Sequence, residues 1–189
     1  QMTLPPHSPP LTIRQIRGKS ATEVYAVGTK MDSGKNPVQG VLWHYDGNGS
    51  WKEITTLPAD VDQLGGVHGA GSEVWVVGTS WDGSKYHGVR LVSTDLTVWT
   101  RHNSTVAEED NEVWSPWPGA VLAGGAIPKP PINSAARVST LSLGSWTEAP
   151  IDGIAGSVSG IWPQPGSNQV WLSTYGESGF AGVYKGACQ

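Results

Sequence analysis

The feature that most constrains this chain is a repeat. The stretch "GVHGAGSEVWVVGTS" at 66–80 has a looser copy, "IRGKSATEVYAVGTK", at 16–30. Aligned on the strand-like segment that ends in Val-Gly, Tyr25 in "EVYAVG" matches Trp75 in "EVWVVG", Leu122 in "AVLAGG" and Trp171 in "QVWLST", at steps of 50, 47 and 49 residues. A second column, Trp51, Trp99 and Trp146, advances by 48 and 47. Two independent columns agree on four units, so the chain must stack or ring them to bury a common core.

Each unit reads as four short strands. In the second they are "LGGVHG", "EVWVVGTS", "HGVRLVS" and "VWTRHN", β-branched and aromatic segments bounded by Gly, Asp, Asn and Ser turns. A repeated four-stranded antiparallel unit of this length is the pattern of a propeller blade. The expected fold is all-β: a single domain forming a four-bladed β-propeller, with blades at about 11–60, 61–108, 109–153 and 154–189 plus 1–6. The fourth unit has no Trp-bearing fourth strand, and "MTLPPH" at the N-terminus resembles outer-strand segments such as "TTLPAD". Residues 1–6 are therefore expected to close the ring and remove its free edges. An eight-bladed ring built from two chains would have the same period.

Composition narrows the class further. Gly and Pro recur too often for long helices, and ten Trp offer large buried areas with an N–H each to satisfy. A net charge of −4 without a basic stripe argues against nucleic acid as a partner. No apolar run is long enough to cross a membrane. Cys188 is the only cysteine, so any disulfide would join two chains and make a homo-oligomer. The start at Gln1 is what a processed secreted protein presents, and an extracellular location is expected. Asn48 and Asn103 open tripeptides that accept glycans in a eukaryotic secretory pathway.

The pattern Val-x-Gly, then "EVWVVG", then "GVLWHYDGNGSW" resembles propeller repeats of secreted bacterial proteins and the blades of bacterial and fungal propeller lectins. The resemblance covers the whole chain, clearest in units one and two. It implies the fold more than an activity. The turn "STDLTVW" resembles a degenerate Asp-box of sialidase propellers, although the full Ser-x-Asp-x-Gly-x-x-Trp pattern is not met.

Candidate site residues fall in two places. One end of a propeller collects the loops joining second and third strands, and variable loops on a rigid scaffold commonly carry function. The loop of the second unit is richest, with Trp81, Asp82, Lys85, Tyr86 and His87; Tyr175, Glu177 and Phe180 form a thinner version in the fourth. Aromatic faces beside hydrogen-bonding groups suit sugar rings, and the alternative is that they pack loop on loop. The inner strands offer Arg17, His68, Trp114 and Trp162 as an axial ligand-binding column, or as filling of a narrow tunnel, with Trp117 an extra aromatic beside them. The repeating Tyr25, Trp75, Trp171, Trp51, Trp99 and Trp146 are expected in the core between blades.

Acid–base chemistry would draw on Asp62, His68, Glu109 and Asp110 near the axial mouth, with Asp152 on a further link. The carboxylate run "AEEDNE" at 107–112 reads as solvated surface. His7, His44, His68, His87 and His102 lack metal-ligand spacing, so no metal site and no cofactor are expected, although a calcium ion on the axis, held by backbone carbonyls, is compatible with such a ring. The leading expectation is a secreted, non-catalytic, lectin-like protein whose partner is a carbohydrate or glycoconjugate. The alternatives are an enzyme acting on a glycan or small metabolite at the axial mouth, and a structural module of an extracellular assembly.

Overall fold

The structure is a computed structural model; it describes residues 10–104, 109–129, 132–164, 167, 169–176 and 181–187. All its regular elements are strands, in four antiparallel sheets that form the blades of a four-bladed β-propeller. Blade 1 comprises β1 (Leu11–Ser20), β2 (Glu23–Met31), β3 (Pro37–Tyr45) and β4 (Trp51–Ile54). Blade 2 comprises β5 (Gln63–Ala70), β6 (Glu73–Trp81), β7 (Tyr86–Ser93) and β8 (Thr100–Asn103). Blade 3 comprises β9 (Glu109–Trp117), β10 (Ala120–Lys129), β11 (Ile132–Ser142) and β12 (Ser145–Ala155). Blade 4 has β13 (Ser157–Pro163), β14 (Gln169–Tyr175) and β15 (Ala181–Ala187) among the described residues. The expected closing strand at residues 1–6 lies outside those residues, as does Cys188.

Blades pack in chain order. The inner strand of each blade lies across the first three strands of its neighbour: β5 on β1, β2 and β3, β9 on β5, β6 and β7, and β13 on β9, β10 and β11. Strand alternation supplies the two faces. In blade 1, Tyr25, Val27 and Leu42 point forward onto Val74, Val76, Val89 and Leu91 of blade 2. Trp75 and Val77 of blade 2 do the same against Val113, Val121 and Ala123, and Leu122 against Val158 and Ile161. The repeating column thus forms the inter-blade core: Tyr25 and Trp75 are 2 % exposed and Leu122 9 %.

The column breaks at blade 4. Trp171 is 37 % exposed, and Trp162, Tyr175 and Val183 on the same forward face are open as well. The rearward face of blade 1 shows the matching gap. Ile16 is 55 % exposed, whereas its counterparts Val67, Val113 and Ile161 are at most 2 % exposed against the preceding blade. No contact of the kind that joins the other blades links blade 4 to blade 1 among the described residues.

All four inner strands carry a β-bulge at the same register, and its extra residue is Arg14, Gly65, Asn111 or Ser159. Just opposite, a Cβ on Gly28, Gly78 or Gly125 would overlap the carbonyl oxygen of Thr12, Gln63 or Glu109. The glycine that ends each "VG" or "GG" is there because the bulge drives a backbone carbonyl into that space.

Candidate functional site

The bulges gather at the end of the propeller where the second-to-third loops lie, around a cavity of about 870 Å3. Its wall takes Arg14 and Gln15 from blade 1, Gln63, Gly65, Trp81, Lys85 and Tyr86 from blade 2, Glu109–Glu112 from blade 3, and Ser157, Ser159 and Tyr175 from blade 4. A bulge re-aims side chains that strict alternation would send elsewhere. In β9 the extra residue Asn111 puts Glu109 and Glu112 on the same cavity.

The carboxylates of this wall have unlike surroundings. Glu112 is 4 % exposed. The Gln15 amide donates to both of its oxygens, at 2.6 and 2.7 Å, and Arg17 Nη2 approaches at 3.2 Å. Burial pushes the Glu112 carboxyl up from the ordinary carboxylate value, against the opposing pull of Gln15 and Arg17. Gln15 also accepts the Val67 N–H at 2.7 Å, so one side chain ties blades 1, 2 and 3 together at the axis. Glu109 accepts only from Asn111 Nδ2, at 2.8 Å, among the described side chains.

Asp110 is fully buried between two arginines. Arg90 Nε of blade 2 donates to it at 3.1 Å, and Arg137 of β11 pairs with its other oxygen. Arg90 also reaches Ser139 and Glu148 and stacks 4.2 Å from the Trp146 ring. For residues 109–112 this corrects the reading of "AEEDNE" as solvated surface; Ala107 and Glu108 lie outside the described residues. Two buried guanidiniums draw Asp110 into the joint between blades 2 and 3, and the inward-facing Glu112 follows.

The loop candidates also meet the cavity. Trp81 and Tyr86 stand on its rim with ring centroids 4.8 Å apart, tilted by 54°, and both are exposed. Asp82 builds the turn between them, accepting from Ser84 and Lys85 backbone N–H groups at 2.8 and 2.9 Å and pairing with His87 Nε2 at 2.6 Å. The His87 contact first, then Ser84, holds the Asp82 carboxyl well below the usual range. Tyr175 lines the wall; Glu177 and Phe180 lie outside the described residues.

The inner-strand column sits elsewhere. Arg17, His68, Trp114 and Trp162 lie opposite Tyr25, Trp75, Leu122 and Trp171 on the forward faces, further down the strands, and none lines the cavity. His68 is pulled down to about 4 by burial and then by Arg17, which makes it a neutral imidazole at neutral pH. Asp62 is not in the wall either; it accepts the Trp81 N–H at 2.5 Å and so fixes the rim. The side chains of Trp117 and Asp152 are outside the described set. No group of three or more His, Cys, Asp or Glu placed to hold a metal ion occurs among the described residues.

Sequence reasoning passed over Arg14, Gln15, Gln63, Asn111, Glu112, Ser157 and Ser159. The bulge residues differ from unit to unit in type and in distance from the strand-two marker, so no repeated pattern in the sequence marks them.

No protein-family model matches the chain, and no curated protein is similar to it in sequence. Solved structures are similar in fold. A mutant of the Bombyx mori GH32 beta-fructofuranosidase in complex with sucrose superposes with a TM-score of 0.58 at 12% identity, over 94% of this chain and 46% of that one. The Bacteroides ovatus xyloglucan PUL GH43B gives a TM-score of 0.52 at 12% identity, over 93% of this chain and 38% of that one. The chain therefore spans less than half the length of either neighbour, and the likeness establishes the propeller fold. It also corrects the expectation of a non-catalytic lectin with shallow sites on separate loops. The neighbours are glycoside hydrolases, and here the polar groups converge on one axial cavity instead of dispersing over four loops.

Proposed function

We propose that this protein is a carbohydrate-processing enzyme that acts at the axial cavity. The observation that carries the reading is the pair Glu109 and Glu112, two carboxyl groups with unlike environments on one bulged strand, in a cavity rimmed by Trp81, Tyr86 and Tyr175. Cleavage of a glycosidic bond calls for one carboxyl that donates a proton to the leaving oxygen and one carboxylate that stabilises or attacks the sugar. Glu112 suits the donor, because burial keeps its proton to higher pH. Glu109 suits the anionic partner, since among the described residues its carboxylate accepts a single hydrogen bond and keeps lone pairs for the cavity. Exposed aromatic rings at the mouth supply apolar platforms for the C–H faces of a sugar. The solved neighbours, a GH32 beta-fructofuranosidase holding sucrose and a GH43B protein, agree with this use of the fold.

The test is turnover on a panel of aryl glycosides and reducing oligosaccharides, followed for the protein and for Glu112→Gln and Glu109→Gln. Each variant is expected to lose roughly 10²–10⁴-fold in kcat with its circular dichroism unchanged. Absence of turnover across the panel, or folded variants as active as the parent, would sink the reading.

A further inference from the structure

The cavity wall has a charge pattern at odds with the chain as a whole. The chain carries −4, yet the wall holds two cations that pair with no acidic group among the described residues. Arg14 is the bulge residue of β1, set between the pairs Ile13–Gly28 and Gln15–Val27 and exposed on the cavity. Its guanidinium makes no hydrogen bond or ion pair among the described residues, whereas Arg17, Arg90, Arg101 and Arg137 are all engaged. Lys85 stands on the rim of blade 2, its backbone fixed by Asp82 and its ammonium unpaired among the described residues.

The acidic groups of the wall do not cancel these two. Asp110 is enclosed by Arg90 and Arg137. Glu112 is shared by Gln15 and Arg17. Among the described residues of the wall, Glu109 alone remains as an uncompensated carboxylate, against Arg14 and Lys85. A cavity with low-dielectric walls and an excess of one sign concentrates ligands of the other. A free guanidinium on a rigid strand presents a planar fork that matches a carboxylate or sulfate in two parallel bonds. Neutral hydrogen-bonding groups, Gln63 and Ser159, line the same cavity and can meet hydroxyls.

We propose that the saccharide taken by this cavity is anionic, a sugar bearing a carboxylate or a sulfate, with Arg14 as its principal contact and Lys85 as a second. The inference rests on the reading of the cavity as a saccharide site and adds the class of saccharide. Position supports the division of labour. Arg14 belongs to the ring of four bulge residues, so it occupies the axial end of blade 1 as Asn111 does in blade 3, next to the Glu109–Glu112 pair.

The test is calorimetric titration with trigalacturonate, with its neutral counterpart galactotriose, and with a sulfated disaccharide, at low salt and at 0.5 M NaCl as about the strongest screening practical. One of the two acidic ligands is expected to bind at least about tenfold more tightly than galactotriose. That preference should shrink by about tenfold in Arg14→Ala, partly return in Arg14→Lys, weaken in Lys85→Ala and in salt, and stay intact in Lys52→Ala on the outer strand. Which of the two acidic ligands binds tells carboxylate from sulfate. Equal or tighter binding of galactotriose would overturn the acidic-sugar inference while leaving the proposed enzyme standing. Binding of the acidic ligands that ignores Arg14→Ala would overturn it too. Silence towards every saccharide, joined to absence of turnover, would remove both.

Discussion

At the scale of single residues, two positions show how local chemistry is set by a neighbouring backbone or side chain. Gly78 lies where a Cβ would overlap the carbonyl oxygen of Gln63, so Gly78→Ala must push the inner strand off its bulge. A cost of at least about 2 kcal/mol in urea unfolding is expected. Gly18, in the same inner-strand family but with only ordinary contacts around it, should accept Ala within about 0.5 kcal/mol. A result in which both variants behave alike would show that the bulge is not what requires the glycine. His68 makes the second case. Its folded pKa is depressed to about 4 from an ordinary value of 6.5, by burial first and Arg17 second. At pH 7 both folded and unfolded states are neutral there, and nothing is lost. As pH falls below 6.5 the unfolded chain binds the proton first, so stability declines until the folded pKa is reached. With the side chain part-exposed, the loss is discounted to about 1–3 kcal/mol. His68→Asn should lose less stability than the parent between pH 6.5 and 4, measured by urea unfolding at each pH.

At the scale of elements, the inner strand is the part that converts a repeat into a site. Four strands share one bulge, and at its axial end each blade was free to place a different residue: Arg14, Gly65, Asn111, Ser159. The bulge costs β9 a ladder partner at Asn111, and the Asp110 clamp holds what remains in place. Arg90 comes from blade 2 and Arg137 from blade 3, so the clamp ties the catalytic candidates to an inter-blade joint. This arrangement explains why the acidic run 107–112 could not be read from sequence. A block of carboxylates in a link between strands looks solvated; what holds Asp110 buried is a pair of arginines 20 and 27 residues away, on other strands.

At the scale of the molecule, the propeller repeats one interface three times, and among the described residues no like interface joins blade 4 to blade 1. Trp75 and Trp171 occupy the same column, one sealed under the next blade and one facing solvent. Trp75→Leu is expected to cost about 2–4 kcal/mol, as large-to-small changes in packed cores do, and Trp171→Leu less than about 1 kcal/mol. Comparable losses in urea unfolding would mean that blade 4 is covered in solution. The four-bladed, all-β architecture was legible in the sequence because burial between blades demands a large side chain at the same strand position in the first three units, and the fourth keeps one there. That demand writes a period of about 48 residues into the chain. The glycine after the first three markers was visible for a related reason, since the same backbone contact recurs at Gly28, Gly78 and Gly125, whereas blade 4 has Thr174 opposite its bulge. The cavity was not legible. It takes a few residues from each of four distant units, they differ from unit to unit because no shared packing constrains them, and a bulge decides which of two adjacent side chains turns inward. The repeat alone determined the fold; only the tertiary structure, by bringing four bulges to one axis and burying Glu112 beside Gln15 and Arg17, decided where the chemistry could lie.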